Sequence, residues 1–261
     1  MNGSKNFNRK GRTTAWSSIR WRGEPVYILA GLGSFAEYAV VREASCVPIS
    51  RDLPLDIAAL VGCAVATGVG AAMYTAGVNA GESVAVFGAG GIGLNIIHGA
   101  QLCGAQPIIA IDASEAKAAL AKQFGATHSL PSDETTLAGI QALTGGRGVD
   151  RAFEAVGIPA LQERAFEAIR PGGTLTLVGT APNGSASNLP GAVITRTEKV
   201  IRGCSYGSVN PQRDIPLLLD LYAAGKLKLD QLITRRYRLD DINQAYADML
   251  SGELARGIIV F

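Results

Sequence analysis

With 261 residues, 48% of them hydrophobic and 18% charged, the chain carries enough apolar material for one large or two modest globular domains, which excludes a disordered or fibrous protein. Net charge is only +2 and the basic residues are dispersed, without the concentrated basic stripe that a nucleic-acid partner requires. The four cysteines (Cys46, Cys63, Cys103 and Cys204) form no C-x-x-C pair, which fits neither a disulfide framework nor a zinc knuckle and points to a reducing cytoplasm.

The opening stretch MNGSKNFNRKGRTTAWSSIRWRGE is basic and has no apolar core, so it reads as a solvated terminus and not as a secretory signal. SFAEYAVV (34–41) alternates as a half-buried strand does. From Ile57 to Val78 no residue is charged. That run is made of Ala, Gly, Thr and Val without an aromatic belt or positive flank, so a buried segment is expected and a membrane span is not.

From Ser83 the chain alternates. SVAVFG (83–88) is a short apolar run suited to a strand buried on both faces, and 91–105 has helical spacing. Further strands are expected at 107–112, 128–130, 151–157, 174–180 and 199–205, with helices at 114–125, 133–146 and 159–173. GIIVF (257–261) closes the chain as another strand. Strands alternating with helices give the α/β class, a doubly wound parallel sheet with helices on both faces.

FGAGGIG (87–93) carries G-x-G-x-x-G at Gly88, Gly90 and Gly93 between a buried strand and a helix, and Asp112 ends the next strand. Gly88 permits the tight turn, Gly90 lets backbone approach a pyrophosphate, and Gly93 lets helix pack on strand. Gly91 lies in the same loop, at the helix N-terminus that offers free N–H groups to phosphate. Asp112 would accept hydrogen bonds from ribose hydroxyls and repel a 2′-phosphate, which favours NAD over NADP. Lys117, one turn into the next helix, is in reach of the same ribose.

LGSFAEYAVV, LVGCAVATGVGAAM and SVAVFGAGGIG with Asp112 occur in an order that resembles the zinc-dependent alcohol dehydrogenases of the medium-chain dehydrogenase/reductase family, near the formaldehyde dehydrogenase branch. The resemblance runs from about Arg22 to Phe261. It implies a Rossmann domain (65–204) inserted in a remnant, mainly β, GroES-like catalytic domain (1–64 and 205–261). It also implies a small alcohol or aldehyde substrate and a homodimer or homotetramer joined through the Rossmann sheets. By the same resemblance Cys63 matches a zinc ligand, Thr67 a threonine beside the nicotinamide, and Ile92 the apolar residue behind the ring. Val178 and Thr180 match backbone contacts to the nicotinamide amide, and Arg256 an arginine that reaches the pyrophosphate.

A catalytic zinc of this kind needs three protein ligands. The family supplies the first cysteine and the histidine from a segment upstream of SFAEYAVV, which this chain is expected to lack, with impaired activity as the consequence. His98 is expected as a packing or surface residue of its helix, and His128 lies on the sheet half away from the substrate cleft. Two other readings stand beside the alcohol dehydrogenase: a zinc-independent NADPH reductase of the same superfamily, and a non-catalytic NAD-binding oligomer partner.

Overall fold

The computed structural model describes residues 20–26, 33–252 and 254–261. At the front, β1 (Arg20–Trp21) and β2 (Glu24–Pro25) form a two-residue antiparallel ladder. The strand expected at 34–41 is not formed: the segment is irregular and exposed throughout, with Tyr38 91% and Val40 100% exposed. Alternation alone does not hold a strand, because its backbone N–H and C=O groups need a ladder partner, and none pairs with it among the described residues.

The uncharged run forms one helix, α1 (Leu55–Ala76), long and apolar enough to cross a membrane by length and composition but two-thirds buried inside the protein. Two stretches of it, Val61–Val65 and Ala71–Ala76, are π-helical. The wider turns free carbonyls for side chains from the far end of the sheet. The Tyr206 hydroxyl donates to Gly62 O at 2.8 Å and Arg202 Nη1 to Thr75 O at 3.0 Å. The helix runs without a break through position 64/65.

Strands β3 (Val84–Phe87), β4 (Ile108–Asp112), β5 (His128–Pro131), β6 (Val149–Glu154), β7 (Ile169–Leu177) and β8 (Val200–Gly203) form one parallel sheet in the order β5-β4-β3-β6-β7-β8. They are linked by α2 (Gly91–Leu102), α3 (Glu115–Gln123), α4 (Thr136–Leu143), α5 (Pro159–Ala168) and α6 (Gly191–Thr197). The sheet is apolar on both faces, as parallel strands require. Val84, Val86, Ile108 and Ala110 join the core under α1 and α2, while Ala85, Phe87, Ile109 and Ile111 join the core under α4 and α5. Strand order reverses between β3 and β6, which opens a crevice at their carboxyl ends.

Several boundaries differ from expectation. Helix α5 stops at Ala168, not at 173, because Ile169 turns extended to pair with Val149, and Arg170 precedes a proline. Strand β6 ends at Glu154, and 155–157 is loop.

Beyond the sheet, α7 (Pro211–Ala223) packs Leu218 and Leu219 into the α1–α2 core. The closing strand is present: β10 (Arg256–Val260) pairs in parallel with β9 (Ile233–Arg238), and α8 (Ile242–Ser251) makes the crossover. Phe35 meets Tyr246 of α8 edge-on at 6.2 Å between ring centres, while Met249 and Leu250 of α8 stay exposed.

His98 is a packing residue. It is 1% exposed on α2 and meets Phe124 edge-on at 5.7 Å. Burial, assisted by Lys228, pushes its pKa down to about 4. The unfolded chain takes up this proton from pH 6.5 downward and the folded chain does not until about pH 4, so stability falls as pH falls through that window. Between pH 7 and pH 5 the protein is expected to lose about 2 kcal/mol through this group alone. Denaturant titrations of the wild type and His98→Leu at both pH values check it; parallel pH dependence in the two would rule it out.

Candidate functional site

The crevice is a cleft of about 400 Å³ lined by Gly88, Gly90, Asp112, Lys117, Val156 and Ile158 among others. It is built on the glycine turn. Gly88 sits at φ +96°, where a side chain is strained, and a Cβ there would strike the Val156 side chain. A Cβ on Gly93 would land on the Gly88 carbonyl oxygen, so this position admits only glycine if α2 is to leave β3 at this angle. Gly90 differs from both: a Cβ there meets nothing within 4 Å. Its face is open at the start of α2, whose first N–H groups lack helical partners, an arrangement suited to an anion.

Asp112 is fixed at the tip of β4. One carboxylate oxygen accepts from Ala89 N at 2.8 Å and the other from Ser114 N at 3.0 Å, which ties the glycine loop to the next strand. Lys117 Nζ stands 3.9 Å from the same carboxylate, so both line the cleft together. Carboxylate oxygens so held keep lone pairs for ligand hydroxyls.

Arg256, first residue of β10, reaches back to the start of α2. A Cβ on Gly91 would strike its guanidinium, so Gly91 makes room for this arginine. Burial pushes the Arg256 guanidinium below its ordinary value, and the nearby Cys63 acts in the opposite direction. Among the described residues no carboxylate pairs with it, which leaves a desolvated cation beside Gly91, suited to a phosphate.

Thr67 is buried on α1, one turn from the exposed Cys63. Gly68 is the close contact between α1 and α2, where a Cβ would strike Asn95 and the Ile92 carbonyl, so Thr67 and Ile92 are brought to one junction. Val178 is buried just after β7, and its N–H donates to Glu154 O at 2.8 Å, so only its carbonyl faces other partners. The Thr180 backbone lies against Gly157. The structure therefore gathers Gly88, Gly90, Asp112 and Lys117 around one crevice, while Arg256 stands beside Gly91 at the start of α2.

Metal ligands are another matter. All four cysteines and both histidines of the chain are among the described residues. No group of three His, Cys, Asp or Glu side chains among the described residues lies close enough to hold a metal ion. His98 is in the core and His128 is exposed at the start of β5, bonded to Thr127 Oγ1 at 2.9 Å. Cys63 has Tyr206 and Arg256 within electrostatic range. The donor set present does not fit a three-ligand zinc site.

Glu154, absent from the expectations above, closes β6 fully buried. Its signal in the sequence is an acid ending the apolar strand RAFE, just before small residues and Gly157.

Residues 91–224, half of the chain, match the family model described as zinc-binding dehydrogenase. The chain belongs to the zinc-binding dehydrogenase family. An NDMA-dependent alcohol dehydrogenase of Amycolatopsis methanolica is 42% identical over 232 residues, covering 88% of this chain and 62% of the relative. Alcohol dehydrogenase B of Mycobacterium tuberculosis is 40% identical over 246 residues, covering 92% and 65%. The crystal structure of benzyl alcohol dehydrogenase from Acinetobacter calcoaceticus superposes with a TM-score of 0.84 at 36% identity, covering 87% of this chain and 63% of that one. The chain thus spans less than two thirds of the length of these dehydrogenases.

Proposed function

We propose that this zinc-binding dehydrogenase family member is an NAD-dependent oxidoreductase that interconverts alcohols and aldehydes or ketones by hydride transfer. The observation that carries the reading is the open face of Gly90 between the anchored Asp112 carboxylate and the desolvated Arg256. Gly90 and Gly91 receive the pyrophosphate at the start of α2, with Arg256 as its counter-ion. Asp112 takes the adenosine ribose hydroxyls, and Lys117 borders the same ribose. Thr67, Ile92, Val178 and Thr180 border the nicotinamide half. The bound cofactor supplies the hydride chemistry; the chain's own residues orient it.

Cys63 lacks companion ligands for zinc among the described residues. That same observation favours a second reading, an NAD-binding chain without turnover of its own. We assign residues 65–204 to the cofactor domain and the flanks to the catalytic one. The exposed outer strand β8 is the edge through which copies of the chain would join as a homo-oligomer.

One experiment separates the readings. Purified chain is assayed for zinc content, for NAD binding, and for NADH formation from a panel of aliphatic and aryl alcohols. Alcohol-dependent NADH formation supports the oxidoreductase. NAD binding with neither zinc nor turnover selects the second reading. Failure to bind NAD at all overturns both.

A further inference from the structure

Glu154 is a carboxylate with 0% exposure at the carboxyl end of β6, and its partners are backbone groups and one amide. Oε1 accepts from Val156 N at 2.8 Å and Gly157 N at 2.7 Å, with Ile158 N at 3.5 Å. Oε2 faces the Gln162 amide at 3.4 Å, and that amide's oxygen accepts from the Ser187 hydroxyl. An ionised acceptor satisfied by several amides makes strong, charge-assisted bonds, and leaving those buried N–H groups unpaired is costly. The side chain therefore fixes the path of 155–158.

Two walls of the cleft depend on that path. Val156 lies over Gly88, and with Ala155 and Ile158 it lines the cleft opposite Asp112 and Lys117. Gly157, at φ +90°, abuts the Thr180 backbone with no room for a Cβ. The main chain of Glu154 holds the neighbouring strand end as well, since its carbonyl accepts from Val178 N at 2.8 Å and Gly179 N at 2.9 Å. One residue thus links the wall facing the adenosine ribose to the segment 178–180 at the nicotinamide side.

We propose that Glu154 is a positioning residue for the dinucleotide, setting the cleft between β3 and β6 through the amides of Val156 and Gly157. The inference rests on the NAD-binding reading above. Glu154 touches no cofactor atom; it acts through the loop.

The test is NAD affinity by calorimetric titration in wild type, Glu154→Ala, Glu154→Gln and Ile140→Val, with melting temperature recorded for each. Ile140→Val is the stability control, a core trim in α4 remote from the cleft. Glu154→Ala should raise the NAD Kd about 10-fold or more, the loss of two hydrogen bonds to a charged acceptor. Glu154→Gln, which keeps an oxygen toward both amides, should stay within about 3-fold of wild type at a similar melting temperature. Ile140→Val should bind NAD as wild type does while melting lower. Glu154→Ala binding NAD as wild type does, or Ile140→Val weakening it equally, overturns the proposal. If Glu154→Ala does not fold, Glu154→Ser, whose short side chain reaches neither amide, takes its place with the same expected 10-fold loss, and wild-type NAD affinity in that variant overturns the proposal. Wild type failing to bind NAD instead removes the NAD-binding reading itself, an outcome distinct from any variant-specific result.

Discussion

Gly93→Ala is expected to destabilise the protein by roughly 3 kcal/mol or more, the upper end of what overpacking costs in a close-packed site. A Cβ at this position falls on the Gly88 carbonyl oxygen, and that oxygen belongs to a turn at φ +96° with Val156 pressed against it. Helix α2 must then lift from β3, carrying the Gly68 contact to α1 with it. Gly90→Ala, three residues away, is expected to behave in the opposite manner. Its backbone is at φ −76° and its Cβ would meet no protein atom. That variant should fold with an unchanged melting temperature and still lose NAD binding, because the methyl group occupies space kept for the pyrophosphate. Thermal melts and NAD titrations of the two variants check the pair. Gly90→Ala binding NAD with wild-type affinity would show that the ligand space lies elsewhere.

Cofactor choice is the second large effect. Asp112→Asn keeps an oxygen for Ala89 N and removes the charge, so the glycine loop should hold while ribose recognition changes. Loss of hydrogen bonds to a charged acceptor should weaken NAD about 10-fold. Removal of a carboxylate beside a 2′-phosphate should strengthen NADP by at least a similar factor, since one unit charge at about 4 Å is worth on the order of 4 kcal/mol at a protein surface before screening. Lys117, 3.9 Å from Asp112, then stands as an unneutralised cation at the ribose and adds to the shift. Competition of NAD and NADP for each protein measures the ratio. An unchanged ratio would mean that Asp112 does not face the ribose.

The parts of this molecule that follow from local pattern are legible in the sequence. Short apolar runs such as VAVF and IIAID are strands because both faces are covered, and their neighbours in the sheet follow from alternation with helices. The glycine turn is legible because Gly88 and Gly93 each have a separate steric reason. Residues 34–41 depart from their alternating pattern for a non-local cause: period-two spacing shows which face a strand would bury, not whether a partner strand exists to pair with it. The early end of α5 at Ala168 has a similar origin, since Ile169 pairs with Val149 twenty residues away. The role of Glu154 is not legible in the sequence because its partners are mainly backbone amides, which carry no mark there. Arg256 stands beside Gly91 because the β9–β10 pairing brings the end of the chain back to the start of α2, which no local pattern shows.

Zinc shows the limit of reading residues singly. Cys63, matched to a zinc ligand by the resemblance, has Tyr206 and Arg256 within electrostatic range, yet ligation is a property of three side chains at one point. His98 illustrates the alternative fate of a histidine, packed on Phe124 with its proton displaced by burial.

NAD binding in the crevice between β3 and β6 underlies every affinity effect above. Titration of the unmodified chain with NAD and with NADP, followed by calorimetry, tests it most directly. Saturable binding of NAD at one site per chain is expected, with NADP at least tenfold weaker through the Asp112 charge. NADP binding as tightly as NAD, or no saturable binding of either, would contradict it.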